Sequence, residues 1–227
     1  SPLFYAALTY TPATLGFLGC IKPKFIFPFG VIALLGIAGF ALHAINIGFE
    51  TSYIIMWIGG IEFSFDRFTF PLLFGACISM LIVFGLYKEK LTHYFYQICL
   101  ALLTALTISF SAQDLISIYI ALELTGFCAF ILIADRNDDK SLFNAFQYLI
   151  GGGLAMLIYL IGVVQAFQFS GTFLIADLST ETTPALCLIV AGLLTKAGIF
   201  ICGLWVPHID SHANRHSAAI ISGSVPC

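Results

Sequence analysis

Two ionisable residues stand deep inside long apolar runs of this 227-residue chain: Glu123, within residues 114–134, and Lys196, within residues 184–206. A charge at the centre of a bilayer costs about 2.5–3.5 kcal/mol even on the lenient insertion scale, so such residues are rare and tend to be functional. Glu123 lies nine residues into its run and Lys196 twelve into its own. If both runs cross a membrane in the same direction, a rise of 1.5 Å per residue leaves the two heads only about 4–5 Å apart in depth. A carboxylate and an ammonium that meet there offset each other's desolvation. Their chemistry would be proton transfer, loading from one side and releasing to the other when a neighbouring charge shifts. The alternative is a static pair that fixes helix packing.

Other polar residues offer less specific chemistry. Gln147 and Gln165 fall within or near the apolar run 142–168, where each could hold a water or bond a neighbouring helix. The segment from His208 to His216 carries Asp210 and places His208, His212 and His216 at i, i+4 and i+8, one face of a continuous helix. Pro207 interrupts the backbone just before it, and the spacing lacks the carboxylate or cysteine of zinc motifs. The segment reads as a water-accessible lining of a proton path or as an inert loop, and no metal site is expected. Seven cysteines occur, mostly inside apolar runs and never as CxxC, so neither a disulfide framework nor an iron–sulfur site is indicated. No redox or cofactor motif is present. No cofactor is expected for this chain, and electron chemistry, if coupled to it, belongs to partners.

The elements that must position these residues are membrane helices. The chain is 60% hydrophobic and only 9% charged, whereas a water-soluble domain carries roughly 25% charged residues. A soluble enzyme and a disordered chain are excluded, and a net charge of −3 leaves no basic footprint for nucleic acid. Apolar runs long enough to span about 30 Å of hydrocarbon occur at 3–20, 28–48, 67–87, 94–112, 114–134, 142–168 and 184–206, and an eighth starts near Ser217. They lack the period of two that barrel strands show, so the fold class is all-α integral membrane: seven transmembrane helices and the start of an eighth. Lys22, Lys24, Lys88, Lys90, Arg136, Lys140 and Arg215 all fall in connections on one side, which the positive-inside rule makes cytoplasmic. The N-terminus is then outside. The alternation of Ile61-Glu62-Phe63-Ser64-Phe65-Asp66 behind Gly59-Gly60 predicts a short hairpin on the outer face. Asp138 and Asp139 suit the start of the sixth helix. Gly151-Gly152-Gly153 with Ala155 predicts close helix packing. The sequence opens on Ser1-Pro2 and stops at Cys227, inside the eighth run, and reads as part of a longer polypeptide.

Several motifs together resemble a known family. Leu122-Glu123-Leu124 after Asp114-Leu115, Phe146-Gln147-Tyr148-Leu149-Ile150-Gly151, Phe169-Ser170-Gly171-Thr172, Lys196-Ala197-Gly198-Ile199-Phe200, Trp205-Val206-Pro207 and Ser217-Ala218-Ala219-Ile220-Ile221-Ser222-Gly223 are similar to the antiporter-like subunits of respiratory complex I and Mrp-type cation/proton antiporters. The resemblance is clearest from about Asp66 onward. It implies about fourteen helices in two inverted five-helix repeats, each with a broken helix. It also implies a proton-transfer pair formed by a glutamate of the fifth span and a lysine of the seventh, which match Glu123 and Lys196. Residues 1–65 would form two N-terminal helices and the hairpin, and residues 66–227 the first repeat, incomplete at its C-terminus. Leu122 stands where the family usually has Trp, Gly203 where a histidine often precedes the Trp-Leu-Pro segment, and Asn214 and His216 replace prolines.

The expected function is therefore proton, or Na⁺/H⁺, translocation by a membrane subunit of a complex I-like or Mrp-type assembly, relayed by Glu123 and Lys196. Gln147, His208, Asp210, His212 and His216 are candidate path-lining residues. Its partners would be other membrane subunits and the bilayer, in a bacterial inner membrane or an organelle membrane of bacterial origin. The competing readings are an anchor for a soluble catalytic partner through the basic loops, and the membrane subunit of an inorganic carbon uptake system.

Overall fold

The computed structural model describes residues 11–12, 26–48, 51–55, 61–87, 92–134, 139–178, 183–199 and 220. All but two residues of the first predicted span, and the segment holding His208, Asp210, His212 and His216, lie outside them. The described elements run α1 (Ile26–Ile47), β1 (Thr51–Ile55), β2 (Ile61–Phe65), α2 (Thr69–Leu86), α3 (His93–Ser111), α4 (Leu115–Ile133), α5 (Asp139–Ser170), a single 3₁₀ turn (Ile175–Asp177) and α6 (Thr183–Lys196). Helices α1 to α5 are each long and apolar enough to cross a membrane, and α6 is a shorter apolar helix. The 32 residues of α5 extend about 48 Å, more than the hydrocarbon thickness, so it tilts or projects beyond it.

Local chemistry places the helix ends. Thr92 starts α3 by accepting the Phe95 backbone N–H, and Asp114 starts α4 by accepting that of Ser117 at 2.8 Å, so each satisfies a donor that the first turn leaves orphaned. Along α3 the buried hydroxyls of Thr104, Thr107 and Ser111 donate back to the carbonyls of Leu100, Leu103 and Thr107. Those bonds let polar side chains sit in an apolar core without unmet donors. Successive helices then pack as neighbours. The largest core joins Leu34 and Ile37 of α1, Leu73 and Met80 of α2, Leu102 and Leu103 of α3, and Ala129 and Ile133 of α4. Phe84 and Tyr96 meet edge to face within it, centroids 4.7 Å apart.

One end of the bundle is tied by backbone bonds. The strands pair antiparallel with Tyr53 opposite Phe63, the hairpin that the alternating pattern predicts. Phe63 and Phe65 face inward onto Ala41 and Ala44 of α1 and Phe70 of α2. Gln113 links two segments, donating to Glu62 O at 2.9 Å and accepting from Ile175 N at 3.1 Å, and Leu115 N donates to Phe173 O at 3.0 Å. Three separate connections thus close a lid of paired backbone over this hairpin end.

The close helix contact predicted from Gly151-Gly152-Gly153 with Ala155 is found at Ala155, whose carbonyl would lie 2.8 Å from a Cβ on Gly192, and not at Gly152 or Gly153. A Cβ on Gly152 or Gly153 would meet nothing within 4 Å. The tight crossing is between α5 and α6, where a Cβ on Gly192 would sit 2.7 Å from Tyr159 N and one on Gly162 would sit 2.8 Å from Ala185 O. Tyr159 is sealed inside this crossing, stacks on Tyr119, and donates its hydroxyl to Leu115 O at 2.9 Å, bracing the start of α4. Tyr159→Phe keeps the ring and loses only that bond. It should cost about 1 kcal/mol and lower the thermal midpoint of the detergent-solubilised protein by roughly 2–4 °C; an unchanged midpoint would show the hydroxyl to be idle.

Candidate functional site

Glu123 and Lys196 come together. Lys196 Nζ lies 3.9 Å from Glu123 Oε1, with the lysine side chain 13% exposed and the glutamate 36%. The separation is within an ion pair but beyond a direct hydrogen bond, which N–H···O groups make at about 2.7–3.2 Å. The two charges attract without being locked, and a contact of this length has room for water to bridge it.

Different rules position the two partners. Glu123 projects from the middle of α4, eight residues after Leu115 and ten before Ile133, so it has no helix end to lean on. Lys196 is the last residue of α6. The seventh apolar run, read from sequence as one helix to residue 206, stops here. Ile199 N donates to Leu194 O and Gly198 N to Thr195 O, while Gly198 adopts a φ of 73°. This is a Schellman ending, which needs a left-handed residue and so favours glycine. It brings the ammonium to the negative end of the helix dipole, which adds to the attraction of Glu123.

The ammonium also lies against Gly126, one turn along α4 from Glu123; a Cβ there would be 3.4 Å from Nζ. Beside the pair is a cavity with about 10 Å³ open to a water centre, lined by Glu123, Gly126, Tyr148, Gly152, Gly153 and Lys196 among others. That is about the room one water needs, and the site supplies polar partners for it. Gly152 and Gly153 therefore contribute open space rather than close packing.

Gln147 is not brought to this cavity. It is exposed on the outward face of α5, in a separate groove with Phe143, Phe146, Ile150 and Gly151. The buried Tyr148, its neighbour, lines the cavity instead. Gln165 is half-buried further along α5. Sequence reasoning missed Tyr148 and Gly126; three and four residues from Glu123 mark one helix face, and that spacing could have singled out Gly126.

The family described as NADH:quinone oxidoreductase/Mrp antiporter, transmembrane region, matches residues 112–226. The chain belongs to this family. NADH-quinone oxidoreductase subunit N 2 of Rhizobium meliloti is 33% identical over 138 residues, which are 56% of this chain and 29% of that protein. Two solved structures share the fold: the archaeal membrane-bound sulfane sulfur reductase, a respiratory membrane complex, at TM-score 0.85 and 21% identity over 97% of this chain and 49% of that one, and the Mrp complex from Dietzia sp. DQ12-45-1b at TM-score 0.85 and 19% identity over 96% and 46%. The chain thus spans less than a third of this curated relative and about half of the structural ones. Membership in this family also makes it an integral membrane protein.

Proposed function

We propose that the chain is the N-terminal part of a proton-translocating subunit in a complex I-like or Mrp-type membrane assembly, with Glu123 and Lys196 as its proton-transfer pair. The observation that carries this reading is the ion pair itself: the two charges set within apolar runs lie 3.9 Å apart beside a cavity of water size. While Glu123 is negative and close, its charge holds the proton on the ammonium. When the carboxylate is neutralised or drawn away by a charge next to it, the proton is freed to a water in the cavity. Open space at Gly152 and Gly153 lets that water enter, and the long pair distance lets the partners part. The reading is supported by the names of the similar proteins, NADH-quinone oxidoreductase and Mrp. Na⁺ coupling would be a variation on the same site.

In this reading seven spans cross the membrane and an eighth begins, as half of a roughly fourteen-helix subunit, with the hairpin end outside and the basic connections inside. The segment from His208 to His216 then lies at the inner mouth of the path. Electron chemistry belongs to partner subunits.

Glu123→Gln is the direct test, because it keeps size and hydrogen bonding and removes the charge. Proton uptake by membrane vesicles carrying the assembled complex should fall about tenfold or more, with the amount of subunit in the membrane unchanged. Uptake at the parent rate would overturn the role of Glu123.

A further inference from the structure

The hairpin end of the bundle holds a buried carboxyl. Asp114 is only 4% exposed, and it stands nine residues before Glu123, about 13–14 Å along the α4 axis. Its Oδ1 accepts the Ser117 N–H and caps the helix. Its Oδ2 is shut off from solvent and bonded to no group among the described residues. Donors nearby are already committed: the Tyr159 hydroxyl to Leu115 O, Leu115 N–H to Phe173 O, Gln113 N–H to Glu62 O.

Capping does not account for an aspartate here. An N-cap needs one acceptor oxygen, which Asn or Ser supplies equally well, whereas a second buried oxygen with no donor is costly. Such an oxygen is satisfied by a water or by its own proton, and both are what a proton relay uses. The surroundings fit. Glu62 and Asp177 are carried by the two segments that pair with Gln113, next in sequence to Asp114, and Asp66 follows the same strand. Three carboxylates, with the exposed Arg67 as the neighbouring cation in sequence, are thus carried by segments bonded to or continuous with those around Asp114.

We propose that Asp114 is the proton port at the hairpin end, exchanging protons between water outside and the path that leads to Glu123. The carboxylate accepts a proton from a hydronium or water on the approach, which makes the neutral acid with its O–H on Oδ2. It then returns that proton to the next water, so only O–H bonds form and break and the residue alternates between −1 and 0. This inference rests on the translocation reading.

The test compares Asp114→Asn, Asp114→Ser and Asp114→Glu in the assembled complex, with Glu123→Gln alongside, scored for membrane abundance and for proton uptake by vesicles. A port predicts that the Asn and Ser forms accumulate normally yet lose uptake about tenfold or more, while Glu, a poor cap that keeps the acid, retains more uptake than either. A cap alone predicts the reverse order. Normal uptake by the Asn or Ser form overturns the inference, and so does failure of both neutral forms to accumulate, since the residue would then be structural. Loss of uptake in Glu123→Gln together with normal uptake in Asp114→Asn overturns the port alone; normal uptake in Glu123→Gln overturns the translocation reading beneath it.

Discussion

Lys196→Arg should leave the subunit folded and the ion pair intact, yet stop proton translocation. The guanidinium keeps the positive charge that Glu123 needs at 3.9 Å, and like lysine it suits the C-terminal end of α6. It does not give up its proton in a protein, whereas an ammonium can. A site that needs only a cation tolerates this change, and a site that must release a proton does not. Proton uptake by vesicles should drop about a hundredfold, with the variant present in the membrane at the parent level. Lys196→Ala should lose translocation as completely, and it also leaves Glu123 without its partner, which weakens the contact between α4 and α6. Parent-level uptake by the arginine form would show Lys196 to be a structural cation and would remove it from the relay.

The second large effect is expected one helical turn before that lysine. Gly192→Ala puts a Cβ 2.7 Å from Tyr159 N and 2.8 Å from Ala155 O. Both are backbone atoms of α5, so no rotamer change relieves the clash and the helices must move apart. Overpacking of this kind costs typically about 1–3 kcal/mol, and opening the crossing also loosens the cluster of Met156, Tyr159, Val163 and Ile189. Because Lys196 is four residues further along α6, the displacement carries the ammonium away from Glu123. The variant should therefore show a lower thermal midpoint in detergent and reduced uptake together. Alanine at Gly152, which meets nothing within 4 Å, is the matched control and should leave the midpoint unchanged. Equal midpoints for the two variants would contradict the crossing described here.

Much of this was legible from residue types. Apolar length alone marks α1 to α5, because a backbone in lipid must bond to itself and a helix does so within one segment. The depths of Glu123 and Lys196 follow from counting residues in runs of known rise, and the meeting of the two heads follows from depth and from the cost of leaving either charge alone. The alternation at 61–66 marks the strand that pairs with Thr51–Ile55. The acidic start of α5 at Asp139 is readable in the same way, whereas Asp114, counted inside the run 114–134, proves to be the cap of α4.

What could not be read is which face of each helix turns inward. A membrane helix is apolar all round, so the contrast that marks the buried face of a soluble helix is missing. Gln147 and Tyr148 are neighbours in sequence, and only packing sends the glutamine outward and the tyrosine to the cavity. The same ambiguity left open which members of Gly151-Gly152-Gly153 and Ala155 make the contact: the crossing falls on Ala155, Gly162 and Gly192, and Gly152 and Gly153 face open space. Nor does the run 184–206 show in its composition that α6 ends at Lys196. That end depends on Gly198 adopting a left-handed conformation, which glycine permits but does not require. Residue types thus determined that this chain crosses a membrane and carries a compensated charge pair in it. Tertiary packing decided which side chains meet, because in an apolar solvent helices are sorted by close fit and by the few polar groups that must find partners.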